Sequence, residues 1–204
     1  MKYNENREKV ANLEPDYLCF IFYKKSKRHF EGDIPTLGQG TKKVGVFVNE
    51  KLSVINDLIQ RFKLDAVQLH GDESPLFCEQ LKASNDKGME VIKAFAVSED
   101  FNFNALVGYI NACDYFLFDT KGAERGGNGT LFDWSILEQY PFDKPFFLSG
   151  GIGLSQVDQI ESFLQSASSN YCYAIDVNSK FESEPGRKKI EELQKFIQLT
   201  VKEK

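Results

Sequence analysis

At 204 residues, with 42% hydrophobic, 27% charged and 13% aromatic side chains, the chain carries enough apolar material for a buried core and is not an intrinsically disordered sequence. Thirty acidic against 25 basic side chains leave a net charge of -5, which excludes the electrostatic footprint of a nucleic-acid binder or a polybasic membrane surface. No apolar run approaches the ~18 residues of a spanning helix and the opening residues are polar, so one cytoplasmic domain over residues 1–204 is expected.

In chain order, Asn4 to Glu14 has helical spacing, and Met1 to Tyr3 is too short to supply a strand before it. Tyr17 to Phe22 and Lys43 to Val48 are β-branched and aromatic runs that predict strands; Leu52 to Phe62 predicts an amphipathic helix. Ala66 to Leu69 predicts a strand, Pro75 to Ala83 a helix, Val91 to Ala96 a strand and Phe103 to Ile110 a helix. Tyr115 to Phe118, Trp134 to Gln139, Phe146 to Leu148, Gln156 to Leu164 and Tyr173 to Val177 continue the alternation. The last helix, Gly186 to Lys202, carries Ile190, Leu193, Ile197 and Val201 at spacings of three and four, with Pro185 and Gly186 where a helix begins. Seven nearly continuous apolar strands between helices describe an α/β parallel sheet covered on both faces. Right-handed crossovers leave an open doubly wound sheet or a closed barrel, and neither nucleotide-binding glycine signature is present. A compact barrel of eight βα units, with ~200 residues as its lower limit, fits the length but is one strand short.

In either architecture the ligand lies at the carboxyl ends of the strands, so the residues just after each run are the candidates. Arg28 sits in the basic stretch Lys24 to His29, where its guanidinium fork would match a carboxylate or simply be solvated. His70, after Val67-Gln68-Leu69, would contact substrate or donate a proton, or serve as an ordinary rim histidine. Asp119 ends an apolar run, where desolvation would favour the protonated form and a general-acid role; capping the next turn or pairing with Lys121 is the competing role. Gly150 and Gly151, with hydroxyls from Ser149 and Ser179, would let backbone N–H groups approach a phosphate, or only make a tight turn. Gly127, in the Gly126 to Gly129 loop beside Lys121 and Arg125, would move over a bound ligand or merely be exposed. Two histidines and four scattered cysteines without a C-x-x-C pair make no metal-ligand cluster.

The segments Val44 to Asn49 (V-G-V-F-V-N) and Val67 to Glu73 (V-Q-L-H-G-D-E) are specific in order and spacing. Together with Phe20 to Phe22, Ser26 to Arg28, Phe118 to Thr120, Phe132 to Trp134, Leu148 to Ile152 and Asp176 to Ser179, they make nearly the whole chain resemble phosphoribosylanthranilate isomerase of tryptophan biosynthesis. The resemblance implies a (β/α)8 TIM barrel that converts N-(5-phosphoribosyl)anthranilate, a small phosphorylated substrate, to the 1-deoxyribulose phosphate by an Amadori rearrangement, with no cofactor or metal. It implies Asp119 as general acid on the furanose oxygen and a cysteine thiolate as base at C2. Arg28 would hold the anthranilate carboxylate, and Gly150, Gly151, Asp176, Asn178 and Ser179 would surround the phosphate.

In the family that cysteine ends the first strand, in a K-[IV]-C-G-[MI]-like motif directly before the first helix. Met1 takes the place just after this motif, so the strand and its base are absent from the chain. Cys19, Cys113 and Cys172, read at or before the starts of their strands, and Cys78, in a helix, would not replace it. Lys27 stands where Pro is usual, and Lys180 where Gly is common. The expectations are a native start upstream of Met1, or a gap closed by self-association as a homodimer, with weak binding and poor turnover for the chain as it stands. A non-catalytic relative that only binds phosphorylated ligand is the rival; the retained Asp119 argues against it. An indoleglycerol-phosphate synthase would require a catalytic lysine at an early strand end, and its motif has no match here.

Overall fold

The computed structural model describes residues 1–85, 88–120 and 133–200. Helix α1 (Asn4–Ala11) leads into strand β1 (Tyr17–Ile21), then β2 (Lys42–Phe47), helix α2 (Leu52–Phe62) and β3 (Ala66–Leu69). Helix α3 (Pro75–Ala83), β4 (Glu90–Val97), β5 (Tyr115–Thr120), β6 (Phe146–Leu148), α4 (Val157–Leu164) and β7 (Cys172–Ile175) follow. The seven strands pair in parallel and in sequence order, and among the described residues no ladder joins β7 back to β1. The sheet curls as a TIM barrel does but stays open along this seam.

Local chemistry explains most boundaries. Ile55 and Ile59 give α2 a buried stripe, and Lys63, in the left-handed conformation at φ 51°, ends it. Ser74 caps α3 by accepting from the Phe77 amide at 3.3 Å, with Pro75 opening the first turn. Two expected helices are 3-10 turns instead, Phe103–Tyr109 and Trp134–Gln139. In each, an Asn or Asp N-cap accepts from the amide two residues on, Asn102 from Asn104 at 3.0 Å and Asp133 from Ser135 at 2.9 Å, so the start is capped as expected and the difference lies in the tighter winding that follows.

The expected helix from Gly186 begins later. Between β7 and the last helix α5 (Ile190–Thr200) lies an antiparallel hairpin, β8 (Glu182–Glu184) and β9 (Arg187–Lys188). Gly186, at φ +89°, makes its turn. Pro-Gly serves both a helix start and a tight turn, and here the turn prevails.

Side chains alternate across each strand, so the inner face is read by parity. Val44, Ala66, Ile92, Ala94, Leu117 and Phe147 pack together inside the curl, with Tyr17, Cys19, Tyr115 and Ala174 against them. Phe20, Phe47, Leu69, Phe116, Phe118, Phe146 and Leu148 face outward and join Ile55, Leu81 and Ile160 in the sheet–helix core. Cys19 is therefore not at the amino end of its strand: it is the middle residue of β1 and points inward.

Candidate active site

Continuing the inner parity toward the carboxyl ends brings Gln68, His70, Asp119, Ser149 and Asp176 to the mouth, where all five line one cavity of about 610 Å³. That volume suits a small-molecule ligand. The cavity follows the seam, bounded by Arg28, Gly150 and Ser179 at the mouth and by Tyr17, Tyr173 and Phe196 toward the other end.

His70 Nε2 lies 3.3 Å from Asp119 Oδ2, with both side chains largely buried, while Asp119 Oδ1 accepts from the Thr120 amide at 2.9 Å. The His70 loop is anchored beneath by an interior ion pair. Lys93, 2% exposed, donates to the carbonyls of Leu69 at 3.2 Å, Gly71 at 2.8 Å and Ala94 at 3.0 Å. Its ammonium lies 3.3 Å from Glu73, whose carboxylate accepts from the amides of Asn49 at 2.7 Å and Gly71 at 2.9 Å. The pair thus ties the backbone on either side of His70, at Leu69 and Gly71, to the end of β2 and to β4 through Asn49 and Ala94.

Gly150 and Gly151 have φ of +92° and +68°. A Cβ on Gly150 would strike the Thr120 hydroxyl and come 2.6 Å from the Thr120 amide, so a side chain is excluded where β5 and β6 end. The loop runs into a 3-10 turn, Leu154–Gln156, and then α4, and the Gly153 amide is held by Gln156 Oε1 at 3.0 Å. Amides before a helix attract anions.

Asp176 accepts from Ser149 Oγ at 3.0 Å. Burial pushes its carboxyl above the ordinary carboxylate range, and the nearby Asp119 charge adds to this, against the opposing Ser149 hydrogen bond. Asn178 is engaged by protein: its carbonyl and Oδ1 accept from Lys188 Nζ at 2.9 and 2.5 Å. Arg28 is likewise paired, its Nε 2.7 Å from Glu182 Oε2. Glu182 and Lys188 escaped the sequence reading because the hairpin that brings them to the mouth has no apolar period. Gly127, its loop, Lys121 and Arg125 lie outside the described residues. Among the described residues no cluster of metal-ligating side chains occurs, and no helix is long and apolar enough to cross a membrane.

Fold and site together define a TIM-barrel-like α/β protein with an acid–imidazole pair and a glycine turn at the carboxyl mouth of its parallel sheet. The chain matches the family described as N-(5'phosphoribosyl)anthranilate (PRA) isomerase over residues 2–199, and it belongs to that family. A relative from Parabacteroides distasonis, named N-(5'-phosphoribosyl)anthranilate isomerase, is 42% identical over 205 residues, covering 97% of this chain and 89% of that one. The crystal structure of the phosphoribosyl anthranilate isomerase of Thermotoga maritima is similar at a TM-score of 0.79 and 30% identity, covering 98% of this chain and 95% of that one. Another solved isomerase, in complex with reduced 1-(o-carboxyphenylamino)-1-deoxyribulose 5-phosphate, is similar at a TM-score of 0.75 and 28% identity, covering 97% of this chain and 93% of that one.

Proposed function

We propose that the chain is an isomerase of tryptophan biosynthesis that opens the ribose ring of N-(5-phosphoribosyl)anthranilate and moves its carbonyl to C2. The observation that carries this reading is the Asp119–His70 pair at 3.3 Å, on the inner face of the mouth between a cation, Arg28, and the glycine turn. Asp119 gives its proton to the furanose oxygen; the C1–O bond breaks as the anilino nitrogen forms a C=N bond. His70 lies against the carboxylate this leaves, where it can stabilise the charge. Loss of the C2 proton then yields an enolamine that tautomerises to the ketone. Gly150, Gly151 and Ser179 hold the phosphate, with Asp176 and Asn178 shaping the floor beside it, and Arg28 holds the anthranilate carboxylate.

The C2 proton needs a base, which the family resemblance assigns to a cysteine. Cys19, the cysteine of the inner face, has its thiol pushed up to about 12, first by burial and then by the Asp176 charge. Burial likewise raises Cys78 to about 11 and Cys113 and Cys172 to about 12. None of the four supplies a thiolate at neutral pH. A protein of these 204 residues is therefore expected to bind the reduced product analogue and to convert substrate slowly, short by ~10²–10⁴-fold of a cysteine-equipped enzyme.

Product formation measured by chromatography, alongside calorimetric titration with the reduced product analogue, tests both statements. Asp119→Asn should remove the residual conversion while keeping analogue affinity within a few-fold. Unchanged conversion in that variant would exclude Asp119 as the acid, and failure of the parent to bind the analogue would overturn the reading as a whole.

A further inference from the structure

Two cations and one carboxylate meet where the sheet fails to close. Arg28 follows β1 and Glu182 follows β7, yet Arg28 Nε and Glu182 Oε2 are 2.7 Å apart across the seam, with side chains 17% and 4% exposed. The other oxygen, Oε1, lies 3.1 Å from Lys188 Nζ and accepts from the Gly186 amide at 3.2 Å. Glu182 and Lys188 are register partners in the β8/β9 hairpin. That hairpin is pinned on both sides. Phe181, fully buried, packs edge-on against Phe196, and the Asn6 amide exchanges two hydrogen bonds with the Lys188 backbone, at 2.8 and 2.7 Å. The carboxylate is thus a fixed point, and Arg28, carried on a loop, is the partner whose orientation it sets.

The sharing of contacts points the same way: the Glu182 carboxylate is divided between two largely buried basic groups, Arg28 on one oxygen and Lys188 on the other, so it gives the guanidinium a single contact. Among the described residues the Arg28 guanidinium makes no other side-chain hydrogen bond, so its two terminal amino groups remain for a bidentate partner.

We propose that Glu182 is a positioning residue for substrate recognition: held by the β8/β9 hairpin, it orients Arg28 across the β1/β7 seam so that the guanidinium meets the aromatic carboxylate of the substrate. This rests on the isomerase reading above and assigns to a residue with no part in the chemistry the selectivity for a carboxylated aromatic ring.

The test is titration calorimetry with two ligands, reduced 1-(o-carboxyphenylamino)-1-deoxyribulose 5-phosphate and its counterpart lacking the ring carboxylate. Glu182→Gln should lose ~10-fold in affinity for the first, about one charge-assisted contact, and stay within ~2-fold for the second. Glu182→Asp, which keeps the charge on a shorter stem, should recover part of the loss. Both ligands report on the same folded variant, so a general loosening of the site would lower both affinities. Equal losses, or none, overturn the proposal while parental binding of the carboxylated ligand leaves the isomerase reading standing. A parent that binds neither ligand overturns both. Should Glu182→Gln not fold, the same two-ligand comparison between the parent and Glu182→Asp decides the question.

Discussion

A carboxyl group withdrawn from bulk water must be made to tolerate it, and Asp176 illustrates the compromise. It keeps one hydrogen bond, from Ser149, but burial and the Asp119 charge both favour its protonated form. Because its folded-state value is raised, the folded state holds the proton more tightly than the unfolded chain. Stability from this group is fully present below the ordinary carboxylate value of 3.8 and is lost as pH rises through the raised folded value. Asp176→Asn removes that loss while keeping an acceptor for Ser149. The variant should therefore melt at a higher temperature than the parent at pH 7, with the difference shrinking as pH falls toward 4. A difference in melting temperature independent of pH would mean that Asp176 is ionised without penalty in the folded protein. His70, Asp119, Gly150 and Gly151 were visible in the sequence because a parallel strand advertises its carboxyl end by the first polar residues after an apolar run. Glu182 and Lys188 were not, because their meaning depends on Arg28, 154 residues from Glu182.

Elements whose signals agree were readable to the residue. α2 and α3 begin and end as expected, since a single buried stripe, a left-handed C-cap or a Ser-Pro start leaves no competing solution. Phe103–Tyr109 and Trp134–Gln139 carry apolar spacing that suits a 3-10 turn as well as an α-helix, and Pro185-Gly186 closed a hairpin that a helix pattern had concealed. The β6–α4 turn is the element to which the proposed phosphate site belongs, and its geometry allows one residue type. At φ +92°, with the Thr120 amide 2.6 Å and Asp119 Oδ1 3.0 Å from a would-be Cβ, Gly150→Ala should cost at least ~1 kcal/mol of stability. On the proposed reading it should also weaken binding of the reduced product analogue, since the displaced backbone is the one whose amides are assigned to the phosphate. Urea denaturation and calorimetry check the two effects separately, and an alanine variant with parental stability would show that the turn is not constrained by its contact with β5.

The open seam is a property of the whole molecule. Its closing contacts are side chains and caps, among them Arg28–Glu182, the Asn6–Lys188 backbone pair and the Lys2 amide on the Gly186 carbonyl at 3.2 Å, in place of a strand ladder. Such contacts hold the mouth in shape but leave β1 and β7 as sheet edges without a ladder between them along a cavity, a state that invites pairing with another strand. The direction of those groups follows from the register. In a parallel pair one residue's N–H and C=O point to the same side, and the Phe22 amide donates to Val46 at 2.9 Å on β2. Leu18 and Phe20 therefore face β2, while Tyr17, Cys19 and Ile21 face the seam, and the Ile21 carbonyl accordingly takes the Phe30 amide at 2.7 Å. Hydrogen exchange on the 204-residue protein should then split neighbours on one strand. The Cys19 amide should exchange roughly 100-fold faster than that of Phe20, because it needs no ladder opening to reach solvent in the cavity. Equal, strong protection of both amides would mean that the β1 edge is paired in solution, and a second copy of the chain would be the first partner to look for, by measuring whether that protection grows with protein concentration.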